Sequence, residues 1–168
     1  VVSTILEEMV ALGIKRFMSI GTAGALAKGL EVGDLVVCDR AIRDEGVSHH
    51  YLPPAKYAFA DPELTDRLEH ALGEAGLKTH RGTTWTIDAP YRETVEEARH
   101  YQKEGVLIVE MEAAALFAVA ELRKVPLAAA FTVSDSLADL QWVPHFSSDA
   151  TREGLEKLYQ AALEVLLA

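Results

Sequence analysis

Leu107-Ile108-Val109-Glu110-Met111-Glu112-Ala113-Ala114-Ala115 is the stretch whose reading decides the fold, because two carboxylates and a thioether interrupt an apolar run there. Val106 to Val109 reads as a short buried strand, and Ala113 to Leu122 as a helix built from strong helix formers. The acidic pair therefore falls at a strand-to-helix junction, at the carboxyl end of a strand, where open α/β sheets bind their ligands. A carboxylate offers about four acceptor sites and can grip two neighbouring hydroxyls of a sugar diol, which singles out Glu112 for that task. Two plainer readings compete. Glu110 and Glu112 also suit the positive end of the helix that follows, an effect of about 0.3–1 kcal/mol, and Met111 suits a hydrophobic core.

Outward from this junction, helices and strands alternate. Val1-Val2-Ser3 leads into an amphipathic helix with Ile5, Leu6, Met9, Val10 and Leu12 apolar and Gly13 as its stop. Arg16 to Ile20 reads as a short strand, Gly21 to Gly33 as a loop punctuated by glycine, and Asp34 to Ile42 as a longer strand. His49 to Ala60, with Pro53-Pro54, shows no regular period and reads as loop. Asp61-Pro62-Glu63 starts a helix, with Asp61 as N-cap and Pro62 at its first position, that ends at Gly76. Lys78 to Thr86 reads as a strand carrying Trp85, and Thr94 to Tyr101 as a short helix. Val125-Pro126 is a breaker before a last buried strand, Leu127 to Val133, and Asp149 caps a closing helix that runs through Leu167. The pattern is that of an α/β fold with a largely buried sheet.

Composition bounds the function. The 168 residues fit one domain, 1–168, and 49% apolar with 25% charged residues excludes disordered and fibrous classes. A net charge of −10 argues against a nucleic-acid partner, which would need a basic face. No apolar run reaches the roughly 20 residues that span a bilayer, so no membrane partner is expected. The single Cys38 cannot form an intrachain disulfide and reads as a buried thiol in a strand, consistent with a soluble, cytoplasmic protein. His49 and His50 point opposite ways on an extended chain and have no carboxylate at helical spacing, so no metal is expected.

Two further segments carry chemistry. Gly21-Thr22-Ala23-Gly24 follows a strand, and its small residues leave backbone N–H groups free for an anion, although a plain tight turn uses the same residues. Ser134-Asp135 ends the last strand and precedes a loop with Trp142, Pro144, His145 and Phe146, and Asp135 suits either a turn cap or a general acid.

Three ordered segments, Ser19-Ile20-Gly21-Thr22-Ala23-Gly24-Ala25-Leu26 with Gly33-Asp34-Leu35-Val36-Val37, the Glu110-Met111-Glu112 signature, and Thr132-Val133-Ser134-Asp135, resemble the purine and uridine phosphorylase superfamily, which includes the methylthioadenosine nucleosidases. The resemblance implies a three-layer α/β/α fold with a central twisted mixed sheet, of which this chain is the C-terminal part, the family's first strands and much of its phosphate site lying upstream. It implies that Glu110, Met111 and Glu112 all bind the substrate, with Glu112 on the ribose 2′ and 3′ hydroxyls and Met111 against the sugar. Thr22 is implied at the phosphate, Ala23, Gly24 and Ser134 near the base or sugar, and Asp135 as the acid that protonates a purine.

The implied activity is that of a pentosyltransferase in nucleoside catabolism and salvage, a nucleoside phosphorylase that uses inorganic phosphate to release ribose 1-phosphate and free base, with no further cofactor. A homo-oligomer, dimer or hexamer, is implied as well. Departures from the family pattern set the alternatives. Ser19 stands where a phosphorylase carries Arg, which leaves open a nucleosidase that uses water, and an inactive nucleoside-binding fragment is the reading from another class. Pro90 occupies the position of the Phe that stacks on the base, with Tyr91 to stand in. The Gln-x-Arg pattern that reads uracil is absent, yet Asp44-Glu45-Gly46-Val47-Ser48-His49-His50-Tyr51 resembles the uridine branch, so purine and uridine both stay open. Arg152 is placed either near Asp135 or on a solvated helix face.

Overall fold

The computed structural model describes residues 1–168. Its elements are α1 (Val2–Ala11), β1 (Phe17–Ala25), β2 (Leu35–Asp44), β3 (Tyr57–Phe59), α2 (Pro62–Glu74), β4 (Thr79–Ile87), α3 (Val95–Lys103), β5 (Ile108–Glu110), α4 (Ala113–Arg123), β6 (Leu127–Ser136), β7 (Val143–Pro144) and α5 (Asp149–Leu167). The seven strands form one mixed sheet in the order β3-β2-β4-β5-β1-β6-β7. A further antiparallel pairing of β2 with β6, from Leu35 opposite Thr132 to Cys38 opposite Ala129, closes five of these strands into a ring.

Strand alternation sorts the core into layers. Val36 and Cys38 of β2 and Leu127, Ala129, Phe131 and Val133 of β6 pack with Leu6 of α1 and Leu116, Phe117 and Val119 of α4. Leu35 and Val37 of β2 and Ala130 of β6 face the other way, onto Leu68 and Leu72 of α2 and Leu158 of α5. Each such side chain contributes about 1.5–3 kcal/mol by leaving water. All of Ala113–Ala120 is buried, and its alanines let α4 lie close on the sheet. A third cluster around Trp85 takes in Ala98 of α3, so helices cover the sheet from both sides as an α/β/α arrangement requires.

Several local expectations need correction. The strand expected to stop at Ile20 runs on through Gly21-Thr22-Ala23-Gly24 to Ala25, because β6 supplies a parallel ladder along its whole length, with one register shift between Ala23 and Gly24. No turn is present there. The expected loop from His49 to Ala60 contains β3, which pairs with Arg40, Ala41 and Ile42 of β2. Asp61 does cap α2, accepting the Leu64 N–H at 2.8 Å, but α5 is capped by Ser148, whose hydroxyl accepts from the Thr151 N–H at 3.1 Å, and Asp149 falls inside the first turn.

Candidate active site

Two acidic junctions meet at Gly24. That residue lies opposite Val109 of β5 on one side and opposite Asp135 of β6 on the other, so the ends of β1, β5 and β6 converge. The approach is close enough to exclude a larger residue. A Cβ at Gly24 would stand 2.9 Å from Asp135 Oδ2 and 3.2 Å from Val109 Cγ1.

Glu110 ends β5 and is buried. Its Oε2 accepts the backbone N–H groups of Glu112 (2.8 Å) and Ala113 (2.7 Å), satisfying donors that the start of α4 would otherwise leave unpaired. Its Oε1 accepts the hydroxyls of Thr84 and Thr86, which share one face of β4, and Thr86 Oγ1 in turn accepts the Ala114 N–H at 3.0 Å. Burial pushes the Glu110 carboxyl up to about 7 in spite of these donors. Expected among the substrate-binding residues, Glu110 instead has its acceptor sites taken by the protein's own groups and fixes the β5–α4 junction.

Glu112 is held differently. It occupies the N-cap position of α4 with no capping bond from its side chain, so its carboxylate is free while its backbone is fixed by Glu110. Met111 beside it is exposed rather than core. Thr22 is exposed on β1, whereas the Ala23 side chain is buried in the core, leaving only its backbone for a ligand.

Asp135 is also buried, but its partners are few. Ser134 Oγ, fully buried, donates to Oδ1 at 2.7 Å and also approaches the Ala23 carbonyl at 3.4 Å, and Trp142 Nε1 donates to Oδ2 at 2.9 Å. From the turn before α3, Glu93 faces the same region. Burial first, then the charge of Asp135 and that of Glu97, push its carboxyl up to about 7. Sequence reasoning missed Thr84, Thr86 and Glu93. The signal for the threonines was their i, i+2 spacing on the strand beside the signature.

Tyr91 and Arg152 do not join this constellation. Tyr91 is 93% exposed, and the aromatic group that reaches Asp135 is Trp142, with Phe146 against its ring, not the expected stand-in. Arg152 pairs with Asp149 on the exposed face of α5 at 2.8 Å. The cavity of about 460 Å³ lined by Arg16, Arg67 and Lys124 is at the Leu127 end of β6 and includes none of these acids.

A carboxylate free to accept from two hydroxyls, just past the end of β5, and a buried acid with two hydrogen-bond donors, across Gly24 on β6, suit a ligand with a diol and a basic ring nitrogen. The chain matches the sequence model of the phosphorylase superfamily over residues 2–167. It is 30% identical over 167 residues to a purine nucleoside phosphorylase DeoD-type of Streptococcus gordonii, covering 96% of this chain and 68% of the relative. It is 34% identical over 131 residues to a guanosine phosphorylase of Halorubrum lacusprofundi, covering 78% of this chain and 54% of that one. Among solved structures, the P knowlesi homolog of P falciparum PNP superposes with a TM-score of 0.84 at 28% identity, over 98% of this chain and 66% of that one. The fold is likewise that of Toxoplasma gondii purine nucleoside phosphorylase in complex with immucillin-H, with a TM-score of 0.89 at 24% identity over 98% of this chain and 67% of the other.

Proposed function

The chain belongs to the phosphorylase superfamily, and on that premise we propose that it supplies the sugar-binding and acid-catalytic part of a phosphorylase that cleaves the N-glycosidic bond of a purine nucleoside. Phosphate is the nucleophile, ribose 1-phosphate and the free base are the products, and the reaction serves nucleoside catabolism and salvage. The observation that carries the reading is the contrast at the signature, where Glu110 is occupied by the fold and Glu112 beside it has no partner of its own.

In this reading Glu112 accepts from the ribose 2′ and 3′ hydroxyls and Met111 lies against the sugar. Glu110 acts as a positioning residue that fixes the backbone of Glu112. Thr22 and the backbone of Ala23 and Gly24 border the phosphate and the base. Asp135, set by Ser134, gives its proton to the purine ring nitrogen as the glycosidic bond breaks, so that the base leaves neutral. A general acid of this kind contributes about 10²- to 10⁴-fold in rate. The names of the two curated relatives support purine over uridine. The reaction belongs in the cytoplasm and in a homo-oligomer, and no cofactor beyond phosphate is needed.

Ser19, where the family's phosphorylases carry Arg, favours a second reading in which water replaces phosphate. Incubating the full-length protein with inosine, with and without phosphate, separates the two. Ribose 1-phosphate formed only with phosphate supports phosphorolysis; free ribose formed without it establishes hydrolysis.

A further inference from the structure

The side chain of Trp142 has no role in the sequence signature, yet it makes one of the two hydrogen bonds to Asp135. The segment that carries it is fixed on both sides. Before it, Gln102 of α3 donates to the Ala138 carbonyl at 3.0 Å, and Leu140, at φ 60°, turns the chain back in the left-handed region that L residues rarely enter. After it, β7 pairs with the end of β6, and the His145 N–H reaches the Ser134 carbonyl at 2.9 Å. Between these anchors the indole Nε1 reaches Asp135 Oδ2 at 2.9 Å, while the residue stays 53% exposed and its ring leans on Phe146 at 6.0 Å between centroids. A tryptophan left half in water, with its one polar atom spent on a buried acid, is not explained by core packing.

We propose that Trp142 is a positioning residue for Asp135: its N–H fixes the orientation of the carboxyl group and strengthens its hold on Oδ2 as the proton departs. The inference rests on the reading of Asp135 as the acid. In the step concerned, the Asp135 proton passes to the purine ring nitrogen, the electron pair of the glycosidic bond passes to the base, and a carboxylate remains. An N–H donor binds a carboxylate more strongly than a neutral carboxyl group. The Trp142 bond therefore gains strength between the bound substrate and the transition state, so it acts on kcat rather than on KM. Ser134 donates to the other oxygen in the same sense, whereas Glu93, from the turn before α3, opposes the developing charge.

The test uses the full-length protein and the variants Trp142→Phe, Trp142→Gln and Asp135→Asn. With inosine and phosphate, Trp142→Phe is expected to lower kcat about tenfold with KM nearly unchanged, and Trp142→Gln, which keeps an N–H donor, to restore most of the loss. A kcat for Trp142→Phe equal to wild type, or equal losses in the Phe and Gln variants, overturns the proposal. A ligand-free readout keeps it separate from the function reading. Trp142 and the fully buried Trp85 are the chain's two tryptophans, so Asp135→Asn is expected to shift indole emission in wild type but not in a Trp142→Phe background. Emission that ignores Asp135→Asn in both backgrounds removes the contact and the proposal with it. Unimpaired inosine turnover by Asp135→Asn, with the emission shift intact, instead contradicts the general-acid reading.

Discussion

The β5–α4 junction and the end of β6, where the β7 segment folds back, flank Gly24, each holds an acid, and they are built to different standards of rigidity. At the junction, two backbone N–H groups and two threonine hydroxyls converge on Glu110, all of them buried or nearly so. At the end of β6, Asp135 has one hydroxyl and one indole N–H, the latter from a half-exposed ring on an irregular segment. In the proposed reading the difference separates two tasks. The diol of a ribonucleoside is met by Glu112, whose carboxylate is free but whose backbone is fixed in advance by Glu110. A base that must enter, take a proton and leave is better met by an acid whose surroundings are partly open to water.

The largest expected effect comes from breaking the rigid side. Glu110→Ala strands two N–H groups and two hydroxyls in the interior, so a loss of about 3–5 kcal/mol is expected, read as a fall in the urea midpoint or as failure to fold. Wild-type stability in that variant would show that the junction is not what holds α4 in place.

Glu110 also predicts a pH dependence. Its carboxyl ionises near 4.5 in the unfolded chain and near 7 in the fold, where burial disfavours the charge. Between those values the unfolded state releases a proton that the native state keeps, so the contribution of Glu110 to stability is fully present below about 4.5 and is lost as pH rises to about 7, by up to about 3 kcal/mol. Glu93 acts in the same direction, less strongly because water reaches it. Urea unfolding of wild type and Glu110→Gln across this range should show the decline in the first and a shallower one in the second. Parallel curves would contradict it.

On the looser side the effect should fall on rate. Asp135→Asn is expected to lower kcat for inosine about 10²-fold with little change in binding, and to affect uridine less, since uridine lacks the nitrogen to be protonated. Steady-state kinetics on both nucleosides decide it. Gly24→Ala probes the seam between the two regions. Its Cβ would press on Asp135 Oδ2 at 2.9 Å, so a cost of about 1–3 kcal/mol is expected in a denaturation curve, together with slower turnover. A neutral substitution would mean that the two regions are not in register there.

The sequence made the layers and the junction legible because both are local. Apolar period, the Asp61-Pro62 helix start and the break in polarity at Glu110 each act over a few residues. What escaped it depends on distant partners. Gly21 and Gly24 looked like a turn until β6 laid a ladder beside them, and no local signal marks the pairing of β2 with β6 that closes the ring. The structural role of Glu110 escaped it as well, since it rests on Thr84 and Thr86 across the sheet. Tyr91 was placed by its neighbours in sequence, and the fold turned its ring to solvent.

The central claim is that Glu112 alone of the signature acids is free to take the sugar. Calorimetry of Glu112→Ala with inosine and with hypoxanthine tests it most directly, because the two ligands share the base and differ in the diol. The account predicts that inosine affinity falls about tenfold or more for each charged hydrogen bond lost, at about 1.5–3 kcal/mol apiece, while hypoxanthine affinity stays at the wild-type value. Unchanged inosine affinity, or an equal loss for both ligands, would contradict it.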